Sequence, residues 1–291
     1  VGSEVSVGQA IGMKDETAAR SFATHNLTLS LIISAAWAII LFSFAPIIIR
    51  FYELKEHIAS DAINYLRIVS TAFPFVFLSA AFTGIFNAGG RSKIPFTING
   101  IGLIINMILD PLFIFVFDWK TDGAALATWL AQACVFGLFV YQLKFKKILW
   151  DDFRFFSRLK RVYTTKIIKI GFPVATLNVL FAFVNMFLGR TASTVGGHIG
   201  LMAMTTSGQI EAITWNTSQG FSTALSAFVA QNYAAKKISR VMKALKSTLF
   251  MTLIFGIFCS LLFIFEGNNV FAIFVPEKEA YEAGGLALRI D

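Results

Sequence analysis

The chain alternates long apolar runs with short polar breaks. Seven windows carry almost no Asp, Glu, Lys or Arg: Leu27 to Ile49, Ile68 to Gly90, Ile94 to Phe117, Gly123 to Leu143, Ile170 to Gly189, Ile199 to Ala235 and Ser247 to Phe265. Each supplies the roughly 20 residues that a hydrocarbon core about 30 Å thick requires at a rise of about 1.5 Å per residue. Unpaired backbone groups are costly in lipid, so only helices or closed barrels cross it, and runs without period-two alternation are not barrel strands. The pattern predicts an all-α, polytopic membrane protein. One window is anomalous: Ile199 to Ala235 would extend about 55 Å as a single helix, so it must protrude, tilt or break, with Gly208 and Gly220 as weak points. It is also polar. Ser207, Glu211, Thr214, Ser218 and Ser222 recur at three- and four-residue intervals, and this face should look into a protein or water-filled interior.

The chain matches itself at one fixed offset. Gln9 pairs with Gln231, and Leu66-Arg67-Ile68 with Leu288-Arg289-Ile290. Six apolar stretches fall between the glutamines, so the copies point the same way across the membrane: two parallel six-helix repeats, as found among secondary transporters. Val1 to Ile11 reads as the last turns of an earlier helix and Asp291 falls inside a later one, so the sequence reads as an internal piece of a longer protein, unable to transport alone. The predicted divisions are 1–146, a linker over 147–166, and 167–291. The stretch from Lys146 to Lys169 reads as an amphipathic helix on the membrane surface, with Ile148, Phe155, Phe156, Leu159 and Tyr163 on one side and Arg154, Arg158, Lys160 and Arg161 on the other. Its plain reading is a passive interfacial linker; a lipid-sensing role is the alternative.

Composition agrees with this picture: 56% of residues are hydrophobic and 14% charged, outside the range of soluble domains. A formal net charge of +8 raises the question of a nucleic-acid partner. Most basic residues, however, sit in alternate loops around Lys14, Arg91, Lys160 and Lys236, while Glu53, Glu56, Asp61, Asp118, Asp122, Glu266, Glu277, Glu279 and Glu282 occupy the intervening ones. That is the positive-inside pattern, which puts the basic loops in the cytoplasm and argues against nucleic acid. Cys134 and Cys259 lie inside different spans and read as small packing residues. His25, His57 and His198 lie near loop ends and lack metal-ligand spacing. No nucleophile, acid and metal ligands converge, so the chain is not expected to be an enzyme and needs no cofactor.

Asp110 is the sharpest candidate for chemistry. A carboxylate at membrane depth costs about 2.5–3.5 kcal/mol on insertion scales, so something must offset it. Asn106 lies one turn earlier and Asn99 on the same stripe. Pro111 lacks the N–H that would bond the Met107 carbonyl. Such an oxygen-rich group suits a small cation, or a carboxyl that carries a proton; it could equally be a satisfied interhelical hydrogen-bond cluster. Glu211 is the second intramembrane acid, able to bind a cationic substrate or a proton, or only to fix helix packing. Asn178, Asn185 and Gln209 join it as substrate-cleft candidates. Glu4 lies in a helix of undetermined depth.

Taken together, these residues resemble the multidrug and toxic compound extrusion (MATE) transporters. The carrying segments are Gly8-Gln9-Ala10 with Gly12 and Asp15; Leu66-Arg67-Ile68 with Pro74; Asn87-Ala88-Gly89-Gly90 through Lys93 and Pro95; Asn106 through Asp110; Gly123-Ala124-Ala125 with Ala127-Thr128; Gly171-Phe172-Pro173; and Gly220 through Asn232. Their order and spacing span essentially the whole chain. The resemblance implies a piece running from late in the second helix to the tenth of a twelve-helix protein with two lobes around a central cleft. It further implies a monomeric, multi-pass protein of the plasma membrane that exports organic, often cationic and aromatic, compounds in exchange for Na⁺ or H⁺. Asn106, Asp110 and Thr128 match the family's cation site, whose first-helix Asp would precede Val1. The acid that some members carry in the seventh helix has no counterpart around Phe181. A lipid-linked oligosaccharide flippase of the same superfamily is the alternative, and it would require a cationic cleft.

Overall fold

The structure, a computed structural model, describes residues 2–50, 56–151, 153–275 and 278–290. Glu53, Glu277 and Asp291 fall outside them, as do the side chains of Glu56, His57, His198 and Glu279. Among the described residues every regular element is a helix and none is a strand: α1 (Gly2–Gly12), α2 (Glu16–Arg50), α3 (Glu56–Ala88), α4 (Lys93–Pro111), α5 (Lys120–Val140), α6 (Arg161–Ala234), α7 (Ile238–Phe274) and α8 (Lys278–Ile290). Short π-helical stretches, Leu112–Val116 and Tyr141–Phe145, extend α4 and α5. Among these residues six helices are long and apolar enough to cross a membrane. The seventh expected window is the second part of α6; it is helical, but its run of Ser, Thr, Gln, Asn and Glu keeps it out of that set. On α2 and α7 large apolar side chains such as Ile32, Ile39, Ile47, Leu249, Leu253 and Phe265 are exposed, as a lipid-facing surface requires.

The expected weak points at Gly208 and Gly220 are both helical. The helical path departs instead at Gly197, with φ 58° and ψ −144°. Only glycine visits that region without strain, because a Cβ would clash with the backbone.

The chain divides into two compact units, residues 1–169 and 170–291. In unit 1 the buried core joins Val7 and Ala10 of α1, Phe22 and Leu27 of α2, Phe82, Ile85 and Phe86 of α3, Phe139 of α5, and Leu143 and Trp150 beyond it. Phe139 stacks on both Phe82 and Phe86, at 5.6 and 5.8 Å between centroids. These residues come from the end of α1, the start of α2, the end of α3 and the end of α5. The basic segments at Lys14, Arg91 and 144–169 therefore share one end of the unit. In unit 2, Ile210, Phe271 and Leu288 form a smaller core, and the Ser207 hydroxyl donates to the Gly284 carbonyl at 3.3 Å.

The internal repeat is visible in the backbone. At the end of α1, Lys14 has φ 61°, its N–H bonds Ile11 O, and the Asp15 N–H bonds Ala10 O. At the end of α6, Lys236 has φ 58°, its N–H bonds Tyr233 O, and the Lys237 N–H bonds Asn232 O. This helix-ending pair of bonds satisfies carbonyls that would otherwise lack donors, and it stands at the offset that relates Gln9 to Gln231.

The linker corrects the sequence reading. The described residues of 146–160 form neither a helix nor a loose surface segment; helix resumes only at Arg161. The segment lies as a strap across unit 1. Ile148, Leu149, Trp150, Phe153, Phe155 and Tyr163 pack on the core, whereas Phe156 and Leu159, expected on the same apolar face, are exposed. Three of its backbone groups are satisfied by one face of α2. Thr24 Oγ1 donates to Arg154 O at 2.7 Å, the Ser157 N–H donates to Thr28 Oγ1 at 3.2 Å, and the Lys160 N–H donates to His25 Nε2 at 3.0 Å. His25 Nδ1 lies 2.7 Å from Ser21 O, so a neutral ring with its proton on Nδ1 satisfies both contacts.

Candidate functional site

Two polar sites lie within the helices, one in each unit. In unit 1, α4 and α5 enclose a cavity of about 210 Å³ lined by Asn99, Asn106, Thr128 and Gln132 together with Gly102, Leu103, Ala131 and Val135. Gly102 permits the close approach: a Cβ there would collide with the Val135 Cγ2 methyl. Asn99, Gly102 and Asn106 share one face of α4, and Thr128 and Gln132, a turn apart, face them from α5. The Asn106 amide N–H donates to Asp110 Oδ1 at 3.3 Å. That bond ties the carboxylate to the cavity wall and leaves the amide oxygen as an acceptor. Four neutral oxygen donors beside one carboxylate form a hard site of the kind small cations prefer. At about 30 Å³ per water, the cavity can hold a partly hydrated ion.

Asp110 is half-buried near the end of α4, does not itself line the cavity, and has no basic partner among the described residues. Pro111 follows within the last turn, and the path continues into the π-helical stretch, where the Phe117 N–H reaches back to Leu112 O at 3.1 Å. The sequence reading pairs Asn106 with Asp110 by their four-residue spacing, and the structure places Thr128 beside Asn106 in the cavity wall. Gln132 was missed; its only sequence signal is the helical spacing from Thr128.

In unit 2 a cavity of about 690 Å³ opens among α6, α7 and α8. Glu211, Thr214 and Ser218 line it, so this much of the polar face faces inward, and Ser207 is buried beside it, whereas Ser222 is exposed and outside the lining. Phe181 and Trp215 stack nearly parallel on its wall, with centroids 5.7 Å apart and planes 9° from parallel. Asn185 lines the cavity and holds its amide against Phe181 O at 3.0 Å. Arg289, known from the sequence only as part of the repeat, also reaches this wall. Asn178 and Gln209 are exposed and do not line it. Cys259 is buried on the same wall and Cys134 is exposed in unit 1, each a free thiol. Among the described residues no three His, Cys, Asp or Glu side chains are grouped to hold a metal.

Glu4 is buried on α1, and a Cβ added at Gly84 of α3 would stand 3.6 Å from its Cβ.

Comparison with known proteins gives this arrangement a context. A probable multidrug resistance protein, YoeA of Bacillus subtilis, is 26% identical over 295 residues, covering 96% of this chain and 61% of the relative. A probable multidrug resistance protein, NorM of Thermotoga maritima, is 24% identical over all of this chain and 63% of its own length. The chain thus spans less than two thirds of these relatives. Among solved structures, a MATE in complex with MaL6 superposes with a TM-score of 0.91 at 22% identity, over 99% of this chain and 65% of that one. An outward-facing multidrug resistance MATE transporter of the MOP superfamily gives 0.89 at 23% identity, over 99% and 64%. These likenesses show the fold. The family model for MatE matches residues 1–112 in unit 1 and 172–290 in unit 2. With its multi-pass helical architecture and a repeated helix-ending turn, the chain belongs to the MatE family of membrane transporters.

Proposed function

We propose that the protein exports small organic cations in exchange for Na⁺ or H⁺, with the coupling ion held at Asp110, Asn106 and Thr128 and the organic substrate handled at Glu211. Exchange follows when the two ligands favour opposite states of the transporter, and its extent is limited by each ligand's difference in affinity between those states. The observation that carries the reading is the unit 1 cavity, in which Asn106 faces Thr128 and holds the Asp110 carboxylate at 3.3 Å. A carboxylate kept at membrane depth without a basic partner is offset by binding a cation or a proton. The Phe181 and Trp215 rings beside Glu211 offer stacking faces and a negative charge to a flat cation. The relatives named as multidrug resistance proteins agree with such a substrate class.

The flippase alternative receives less support. Its pyrophosphate head group would need surplus positive charge, whereas the unit 2 cavity carries one guanidinium, Arg289, and one carboxylate, Glu211. The decisive test is dye efflux from proteoliposomes driven in turn by a Na⁺ gradient and by a pH gradient. Asp110→Asn should abolish efflux driven by the coupling ion, and the gradient that drives the unsubstituted protein identifies that ion. Undiminished efflux in this variant would remove Asp110 from the mechanism.

A further inference from the structure

We propose that a third cavity, at the basic end of unit 1, binds the phosphate of an anionic phospholipid headgroup and so ties the 146–160 strap to the membrane surface. The cavity measures about 660 Å³. One wall is the first part of α2, with Glu16, Arg20 and Thr24; the other is the strap, with Arg154, Arg158 and Lys160.

Its charge is unbalanced. Glu16 is engaged by Arg20, whose Nε donates to the carboxylate at 3.1 Å. Asp15, next along the chain, caps α2 by accepting the Ala18 N–H at 2.9 Å. Among the described residues no carboxylate pairs with Arg154, Arg158 or Lys160. The Ser157 hydroxyl lines the same cavity, and its oxygen is buried without a hydrogen-bond partner. A buried hydroxyl in that position costs stability unless a ligand or water completes it. The first turn of α6, from Arg161, opens beside Lys160 and Tyr163 on the cavity wall and adds the positive end of its dipole. Two arginines, a lysine and a hydroxyl around one space are the chemistry of phosphate recognition.

Depth selects the source of that phosphate. The exposed apolar surface of α2 begins at Ile32, two turns or about 12 Å along the helix from Thr24. The cavity thus stands where the headgroup layer, roughly 5–8 Å deep on each side of the hydrocarbon, meets the protein. The basic loops of this end follow the cytoplasmic pattern, and that leaflet carries anionic lipid.

The strap's hydrogen bonds use the backbone of Arg154 and Lys160, so removing side-chain charge leaves them intact. The test compares the unsubstituted protein with Arg154→Gln plus Arg158→Gln, and with Arg91→Gln plus Lys93→Gln in the α3–α4 turn outside the cavity. Each is placed in phosphatidylcholine nanodiscs containing a graded fraction of phosphatidylglycerol, and retained lipid is counted by native mass spectrometry. At roughly tenfold for each charge-assisted hydrogen bond to phosphate, the strap pair should weaken phosphatidylglycerol retention about a hundredfold; the turn pair, which contributes only general surface attraction, should weaken it far less. Arg154→Lys plus Arg158→Lys should keep most of it. Equal retention in all variants overturns the site, and so does an equal loss in the turn pair, which would mark general surface attraction. A further arm titrates inorganic phosphate in pure phosphatidylcholine. Saturation there at micromolar phosphate, lost with the strap pair, would overturn the lipid assignment in favour of a soluble anion.

Discussion

The Asn106 to Asp110 hydrogen bond is the contact on which cation binding most directly depends. Asn106→Ala removes both the donor to the carboxylate and an oxygen from the cavity wall. Hydrogen bonds to charged groups contribute about 1.5–3 kcal/mol, so with Na⁺ as the coupling ion its affinity should fall roughly 10- to 100-fold as the wall oxygen and the positioning of the carboxylate are lost. The Na⁺ concentration giving half-maximal efflux measures this, and an unchanged value would mean that the amide only packs. Gly102→Ala tests the neighbouring contact. Its methyl meets Val135 directly, and overpacking of this kind costs about 1–3 kcal/mol; thermal melting of the purified protein should register the loss. Much of this site is legible in the sequence, because residues four apart on a helix are neighbours whatever the fold. Thr128 entered only through the family resemblance. Gln132 was invisible because spacing along α5 says nothing about which helix faces it.

At the scale of elements, the strap is where sequence reasoning fails. Ile148, Phe155, Phe156, Leu159 and Tyr163 fit helical spacing, yet Trp150 and Phe153 stack at 5.3 Å and Phe153 meets Phe155 edge-on, which places close neighbours in sequence on one side. An extended segment can do this only if its backbone groups find partners elsewhere. Thr24, His25 and Thr28 supply them, from a part of the chain about 130 residues away. No local pattern announces such partners. Thr24→Val with Thr28→Val should therefore free the strap while leaving α2 helical, at a cost of about 1–3 kcal/mol for the unsatisfied groups. Limited proteolysis with trypsin reads it through earlier cleavage at Arg154 and Arg158; an unchanged cleavage rate would show that the apolar contacts hold the strap unaided. The misplacement of the α6 irregularity has a similar cause. Gly197, Gly208 and Gly220 are alike as letters, and only the backbone reveals which adopts a positive φ.

For the molecule as a whole, the repeat and its divergence carry the argument. The paired turns at Lys14 and Lys236 stand at the offset of the sequence repeat, which the matching residues made legible early. The polar sites have nonetheless diverged: amides, a hydroxyl and Asp110 in unit 1, and Glu211, Arg289 and stacked aromatics in unit 2. Under the proposed exchange this divergence is a division of labour, and thermodynamic reciprocity makes it measurable. If the coupling ion weakens substrate binding by some factor, substrate weakens ion binding by the same factor. The affinity of the protein for a planar aromatic cation such as ethidium should therefore be measured with and without the coupling ion. In Asp110→Asn the affinity should stay near that of the unsubstituted protein while the ion's effect disappears. In Glu211→Gln the affinity should drop about tenfold, as expected for losing about 1.4 kcal/mol of attraction to a cation, while the ion's effect keeps its full ratio. A variant at Glu211 that instead abolishes the ion's effect would place coupling in unit 2 and reverse the assignment of the two sites.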